Sequence, residues 1–325
     1  MDGMEIKALE PVGRYMKYEG SPLGAGSAYP SSVEYEFDLS IIIVNYKAKK
    51  FLKECLDSIY SSKTNLRREI WLIDNSSKDD TVIWTRKNFP EVKLVENEWN
   101  LGFSKATNQG IRKSQGRYLL LLNPDTKIVS GSLDEMLKFM DENPDAGVCG
   151  PKMVDEKGNR LYSCRSFPTY FTSISSSQSL LNRLFPQNPL SKRYLLKDLD
   201  RTKIREVDWV SGSCLFARKK MLDEIGLLDE TFFVFCEDVD LCLRAKKGGW
   251  KVFYFPYLTI VHQIGGSTSI NPLKAKLEHH RSIYYFFKKH YRPNLILSFS
   301  IYCGLLLRLI FLSFIFILPR SSKKG

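Results

Sequence analysis

Four stretches of this 325-residue chain place polar side chains beside apolar runs in patterns that could do chemistry. Asn45 and Tyr46 follow the first run, and Asp74, Asn75, Ser76 and Ser77 follow the second. Asn100, Gly102 and Phe103 precede a helical segment that carries Asn108, and Asn123, Pro124 and Asp125 close the fourth run. A carboxylate at Asp74 can accept a hydrogen bond from the imide N–H of uracil or thymine. A carboxylate at Asp125 can hold a divalent cation through oxygen, as Mg2+ at a diphosphate requires. Asp and Asn are also ordinary turn formers, so each residue taken alone has a local explanation. Gathering them at one edge of one sheet argues for a shared site.

A second cluster, Glu237, Asp238 and Asp240, opens a helix that ends in Arg244, Lys246 and Lys247. Acids at a helix start and bases at its end suit the macrodipole, and Asp240 with Arg244 forms an i,i+4 pair. The preceding run, Thr231 to Cys236, is deeply apolar and reads as a buried strand. Adjacent acids at its end would share a partly dry site, which suits a general base. His262 ends another strand and is followed by Gly265, Gly266 and Ser267, which read as a loop closing on substrate. A lone histidine also has a structural reading.

The elements that must position these groups follow from periodicity. Leu39 to Tyr46 is a continuous β-branched run, as in a strand buried on both faces. Phe51 to Tyr60 carries a helical apolar stripe. Strands over 69–74, 92–97 and 117–125 alternate with helices over 79–88 and 102–114. That alternation predicts βαβ units in an α/β fold with a mostly parallel sheet flanked by helices, whose ligands collect at the carboxyl ends of the strands. A further strand and turn are expected from 148, and strands and helices from 207. A polar stretch between them, 163–206, lacks a strong period. Residues 1–37 read as a weakly structured extension, 38–270 as the main domain with 163–206 as an acceptor-side insertion, and 271–325 as a basic, hydrophobic helical tail.

Composition narrows the function classes. With 43% hydrophobic and 26% charged residues the chain is neither disordered nor a disulfide scaffold. The formal net charge is +12, but +9 of it lies between Asn271 and Gly325, so the body is near neutral and nucleic acid is not the expected partner. Seven cysteines without a CxxC pair, and no leading signal pattern, favour a reducing cytoplasmic setting. Leu295 to Leu318 is a largely apolar run of 24 residues interrupted by one charge, Arg308. It is long enough to span a bilayer, yet the central Arg disfavours spanning and basic flanks on both sides give no orientation. A helix lying in the interface fits as well, as does a buried helix or the contact of a homo-oligomer. Peripheral or monotopic attachment at the cytoplasmic face of the cell membrane is the expectation. No GxxxxGK[ST], no HExxH and no GxGxxG after a strand occurs.

The segments SIIIVNY, WLIDNSSKDDT, NLGFSKATNQGI, YLLLLNPDT and GSCLFARKKMLDEIGLLDETFFVFCEDVDLCLRAKKGGW, with the late His262, resemble the family 2 glycosyltransferases of the GT-A fold. Bacterial rhamnosyltransferases are the nearest likeness, with NPD where many relatives have DxD. The likeness runs from Leu39 to Gly266, about 70% of the chain. It implies that Asp74 reads the nucleobase, with Asn45 and Tyr46 lining the pocket. It also implies that Asp125 and His262 bind Mg2+ or Mn2+ and that Asp238 is the base, with Glu237 beside it. Asn123 stands where a first Asp often sits. Asn75, Asn100, Gly102, Phe103, Asn108 and Asn123 are expected on the donor side. The implied reaction is inverting transfer from a nucleotide-diphospho-sugar, dTDP-L-rhamnose first and a UDP-hexose or UDP-galactofuranose second, to a lipid-linked or growing cell-surface glycan. A catalytically silent sugar-nucleotide or glycan-binding module and a nucleotidyltransferase are the alternatives. The latter usually has a Gly-rich basic loop after strand one, and Asn45-Tyr46-Lys47-Ala48 lacks glycine.

Overall fold

The structure, a computed structural model, describes residues 35–170, 172, 185, 188–263 and 271–317. Its elements, in chain order, begin with β1 (Phe37–Asn45), α1 (Lys49–Ser61), β2 (Arg68–Asp74), α2 (Thr81–Asn88), β3 (Lys93–Glu96), α3 (Phe103–Lys113) and β4 (Gly116–Leu122). Next come β5 (Thr126–Ser130), α4 (Leu133–Glu142), β6 (Ala146–Val154), β7 (Cys164–Arg165), α5 (Pro189–Tyr194), β8 (Arg205–Glu206), β9 (Trp209–Val210) and β10 (Cys214–Arg218). Helices α6 (Lys219–Ile225) and α7 (Glu237–Lys247), strand β11 (Lys251–His262), and helices α8 (Pro272–Tyr291) and α9 (Leu295–Ile317) complete the chain.

The main sheet has the order β3-β2-β1-β4-β10-β6-β11-β5, with β8 also paired to β11. Its first four strands are parallel, as the alternation requires, and β10 joins antiparallel to both β4 and β6. Period-two alternation divides β1 between two cores. Leu39, Ile41 and Ile43 face α1 residues Leu52, Cys55 and Leu56, together with Met136 and Leu137 of α4. Ile42 and Val44 join the opposite cluster with Ile111, Leu241 and Phe286. Helix α3 lies close on the sheet because Gly110 has no side chain: a Cβ there would sit 2.6 Å from Ile42 Cγ2.

Three expectations are corrected. Thr231 to Cys236 is not a strand but a bent loop, with Phe235 and Cys236 at φ +70 and +65. Bulky apolar residues mimic a strand in sequence, yet here Phe232 packs on Tyr285 and Phe235 on His279 of α8. Second, the tail expected from 271 does not begin as a separate piece. Ile283, Phe286 and Phe287 of α8 are buried in the same core as α7, and Ser282 Oγ donates to Val234 O at 2.8 Å. Third, the strand expected over 117–125 ends at Leu122, and β5 and α4 follow it unforeseen; Ser132 caps α4 by accepting from Asp134 N and Glu135 N. Six cysteines are buried free thiols, and Cys303 is half-buried. The extension 1–34, the Gly265-Gly266-Ser267 loop and most of 171–187 lie outside the described residues.

Candidate active site

The parallel register sets Asn45, Asp74 and Glu96 level at the carboxyl ends of β1, β2 and β3. Asp74 is buried there and held from several directions. Asn45 Nδ2 donates to its Oδ1 at 3.0 Å, Ser77 N to Oδ2 at 3.0 Å and Ser77 Oγ to Oδ1 at 2.5 Å. Asn45 Nδ2 also reaches Ser77 Oγ at 2.9 Å. Asp74 opens onto a cavity of about 350 Å³ that it lines with Ser76, Lys78, Glu96 and Asn97. Tyr46, half-buried, is the next residue along from Asn45. A fixed acceptor at the wall of a small polar cavity is what recognition of a base edge needs.

The neighbouring asparagines build this wall. Asn75 uses all its amide positions: Nδ2 donates to Asn100 Oδ1 and Gly102 O, and Oδ1 accepts from Asn97 Nδ2 and Leu101 N. Asn100 Oδ1 also accepts from Gly102 N at 2.9 Å. Gly102 has φ +85, and a Cβ there would meet Phe233 O at 2.6 Å. Phe103 N then donates to Phe233 O at 2.6 Å. Asn108 lies further along α3, its amide engaged by Leu228 and Glu230, so it ties α3 to the loop after α6.

Asp125 and His262 do converge, although 137 positions separate them. His262 Nε2 is 3.3 Å from Asp125 Oδ1, because β11 pairs antiparallel with β5 and Gln263 N donates to Asp125 O. The described residues bring no third His, Cys, Asp or Glu to this point. A carboxylate with an imidazole fits a Mg2+ or Mn2+ whose remaining ligands are phosphate oxygens and water. Asn123 is half-buried, its backbone closing the turn through Thr126 N and Oγ1, and its N–H donates to Ser213 O.

The three acids of α7 have three different surroundings. Asp240 is fully buried and receives Arg244 Nε at 2.8 Å, Lys289 Nζ at 2.6 Å and His290 Nε2 at 2.7 Å. Burial opposes its ionisation, but the His290 hydrogen bond and the charges of Arg244 and Lys289 outweigh it and hold its pKa down to about 2. It is a structural anchor and cannot take a proton from substrate. Asp238 is half-buried, with Oδ2 accepting from Gly212 N and Oδ1 from Val239 N, both at 2.8 Å. Burial raises its pKa, and these amides with the charge of Arg165 recover part of the shift. Glu237 is buried, its Oε2 has no partner among the described residues, and burial followed by the Asp238 charge pushes its pKa well up. The left-handed Phe235 and Cys236 turn the chain into these acids.

Several contributors were not singled out by sequence reasoning. Gly212 is visible in the SGS triplet before β10, whereas Lys289 and His290 belong to a helix 40 or more positions downstream, with no local signal of their target. The profile of "Glycosyl transferase family 2" matches residues 40–226. The chain is 31% identical over 259 residues to the N-acetylglucosaminyl-diphospho-decaprenol L-rhamnosyltransferase of Mycobacterium tuberculosis, covering 76% of this chain and 83% of that one. It is 28% identical over 231 residues to the rhamnosyltransferase WbbL of Escherichia coli, covering 68% and 82%. Among solved structures it superposes on GalNAc-T7, solved with UDP, GalNAc and Mn2+, at a TM-score of 0.54 and 17% identity. That match covers 70% of this chain and spans 43% of the other, and it shows a shared GT-A fold.

The Asp240 anchor makes a prediction. Removing a buried charge and leaving its partners unpaired costs about 3–5 kcal/mol, so Asp240→Ala should lower the free energy of unfolding by that amount in urea titration at neutral pH. Because the folded pKa lies below the ordinary 3.8, Asp240 contributes stability above that value. It should lose about 2 kcal/mol as the pH falls from 4 to 2. Asp240→Asn should show a correspondingly shallower acid dependence over that range.

Proposed function

Because this chain belongs to glycosyl transferase family 2, we propose that it moves L-rhamnose from dTDP-L-rhamnose to a lipid-linked or growing cell-surface glycan, with Asp238 as the base. The chain is a glycosyltransferase and not a nucleotidyltransferase; the sugar and acceptor are the proposal. The two relatives named above, both rhamnosyltransferases, support the donor. One acts on a diphospho-decaprenol sugar, which supports a lipid diphosphate acceptor.

The observation that carries this reading is the short path between base and diphosphate site. Asp238 is held by Gly212 N, and the next residue, Ser213, accepts from Asn123 N at the turn that presents Asp125. In the proposed reaction Asp74 orients the nucleobase through its imide N–H. Asp125 and His262 would hold a divalent cation, which when bound supplies charge neutralisation at the departing diphosphate. Asp238 takes the acceptor hydroxyl proton as that oxygen bonds to the anomeric carbon. The bond to the diphosphate oxygen breaks, and its electron pair leaves with the nucleotide.

Attachment to the cytoplasmic membrane face belongs to the same proposal. Leu295, Ile296, Phe299, Leu306 and Leu307 of α9 and Leu273 and Leu277 of α8 are exposed, and Lys274, Lys288 and Arg292 are exposed on or just after α8. Among the described residues no helix is long and apolar enough to cross a membrane. Such a surface suits an interfacial anchor, with about 1 kcal/mol of attraction per basic residue at an anionic bilayer.

Asp238→Asn should leave donor affinity within a few-fold of wild type, measured by calorimetry, while transfer falls about 100-fold or more. Transfer at a near wild-type rate would place the base elsewhere, with Glu237 next. Donor affinity should drop in EDTA and return with Mg2+ or Mn2+; full affinity in chelator would remove the Asp125–His262 site from the account. Stabilisation by a UDP-sugar but not by dTDP-L-rhamnose would overturn the donor assignment. Full-length protein should float with anionic vesicles at low salt, and failure to do so would sink the membrane assignment.

A further inference from the structure

Strands β7 and β9 form a two-stranded sheet separate from the main one, with Arg165 opposite Trp209 and Cys164 opposite Val210. Arg165 lies over the Trp209 ring at 5.2 Å and over the Tyr194 ring at 5.9 Å, and its Nε donates to Tyr162 O at 3.2 Å. The guanidinium is thereby set in one orientation while half-buried. No carboxylate among the described residues lies within ion-pair distance of it. The nearby Arg201 is a useful contrast, since its guanidinium is engaged by Cys164 Sγ, Leu195 O and Leu196 O. Arg201 is taken up by the fold, whereas Arg165 commits Nε to a backbone carbonyl and one terminal donor to the Tyr194 hydroxyl, which leaves the rest of its fork for a ligand.

Its position says what those donors face. From Trp209 the chain runs through Ser211, whose N–H donates to Ser163 O, to Gly212, whose N–H holds Asp238. The Tyr194 hydroxyl lies near enough to Arg165 and Asp238 to feel both charges. An oriented cation with available donors beside a catalytic carboxylate is suited to an anion, and a guanidinium fork matches phosphate oxygens. In a displacement with inversion, nucleophile and leaving group occupy opposite faces of the anomeric carbon. A cation on the base's side therefore serves the acceptor, while Asp125 and His262 stand on the donor's side.

We propose that Arg165, clamped by Trp209 and Tyr194, is an acceptor-side anion site that binds the diphosphate of a diphosphate-linked acceptor sugar. This rests on the transfer reading above and assigns part of the 163–206 segment to acceptor selection.

The test measures binding, so it does not depend on turnover. Full-length protein is titrated, without donor, with a short-chain prenyl-diphosphate sugar and with the neutral O-alkyl glycoside of the same sugar. The wild type should bind the diphosphate ligand at least about 10-fold tighter than the neutral one. Arg165→Gln should erase most of that ratio, and Arg165→Lys, which keeps the charge but not the fork, should retain part of it. Should the glutamine variant fail to fold, a full ratio in the lysine variant with no ratio in the wild type at high salt would mark a diffuse charge effect and overturn the site. A wild type with no preference, or Arg165→Gln with the ratio intact, also overturns it. If the wild type binds with the expected ratio but transfers no sugar, the transfer reading fails and the anion site stands.

Discussion

One short contact sets the geometry of the whole site. Phe103 N donates to Phe233 O at 2.6 Å across Gly102, whose missing side chain is what lets the two segments meet. On one side stands the polar wall of Asp74, Asn75 and Asn100; on the other, the bent loop that delivers Glu237 and Asp238. Any Cβ at position 102 would collide with backbone, so the approach cannot be rebuilt by a rotamer change. Helix α8 backs the same loop through Ser282 and Val234, and the placement of the α7 acids therefore depends on residues far along the chain.

Three acids within four positions have separate fates because their neighbours differ. Asp240 meets the cations of Arg244 and Lys289 and a hydrogen bond from His290, and stays ionised to low pH. Asp238 meets two amides and a nearby arginine, which leaves a carboxylate that is held but still able to accept a proton. Glu237 is buried with its Oε2 unpartnered among the described residues, and its pKa is pushed well up by burial. Sequence spacing could show that acids cluster at a helix start, but not which of them is neutralised. That depends on Lys289 and His290, brought over by α8.

Much of the fold was legible in the chain itself. The β-branched run of β1 and the stripe of α1 each had one structural solution, so the parallel half of the sheet followed. The Asp240–Arg244 pair was also readable, being local. What escaped had competing local signals. Phe232, Phe233 and Phe235 look like a strand but form a loop packed against α8 and Gly102. Helix α8 looks like the start of a basic tail, yet its inner face is core. Asn75 and Asn108 looked like ligand contacts, while their amides are engaged by backbone and side chains within the protein. The pairing of Asp125 with His262 was expected only through the family resemblance, because it depends on β11 and β5 being antiparallel neighbours, which no local pattern encodes.

The central claim is a single displacement in which one carboxylate, Asp238, serves as base and no covalent sugar–enzyme intermediate forms. The anomeric configuration of the product tests it most directly. NMR of the isolated glycan, made with a donor of known configuration, should show inversion at the transferred sugar. Retention of the donor's configuration would rule out a single back-side displacement and contradict the account.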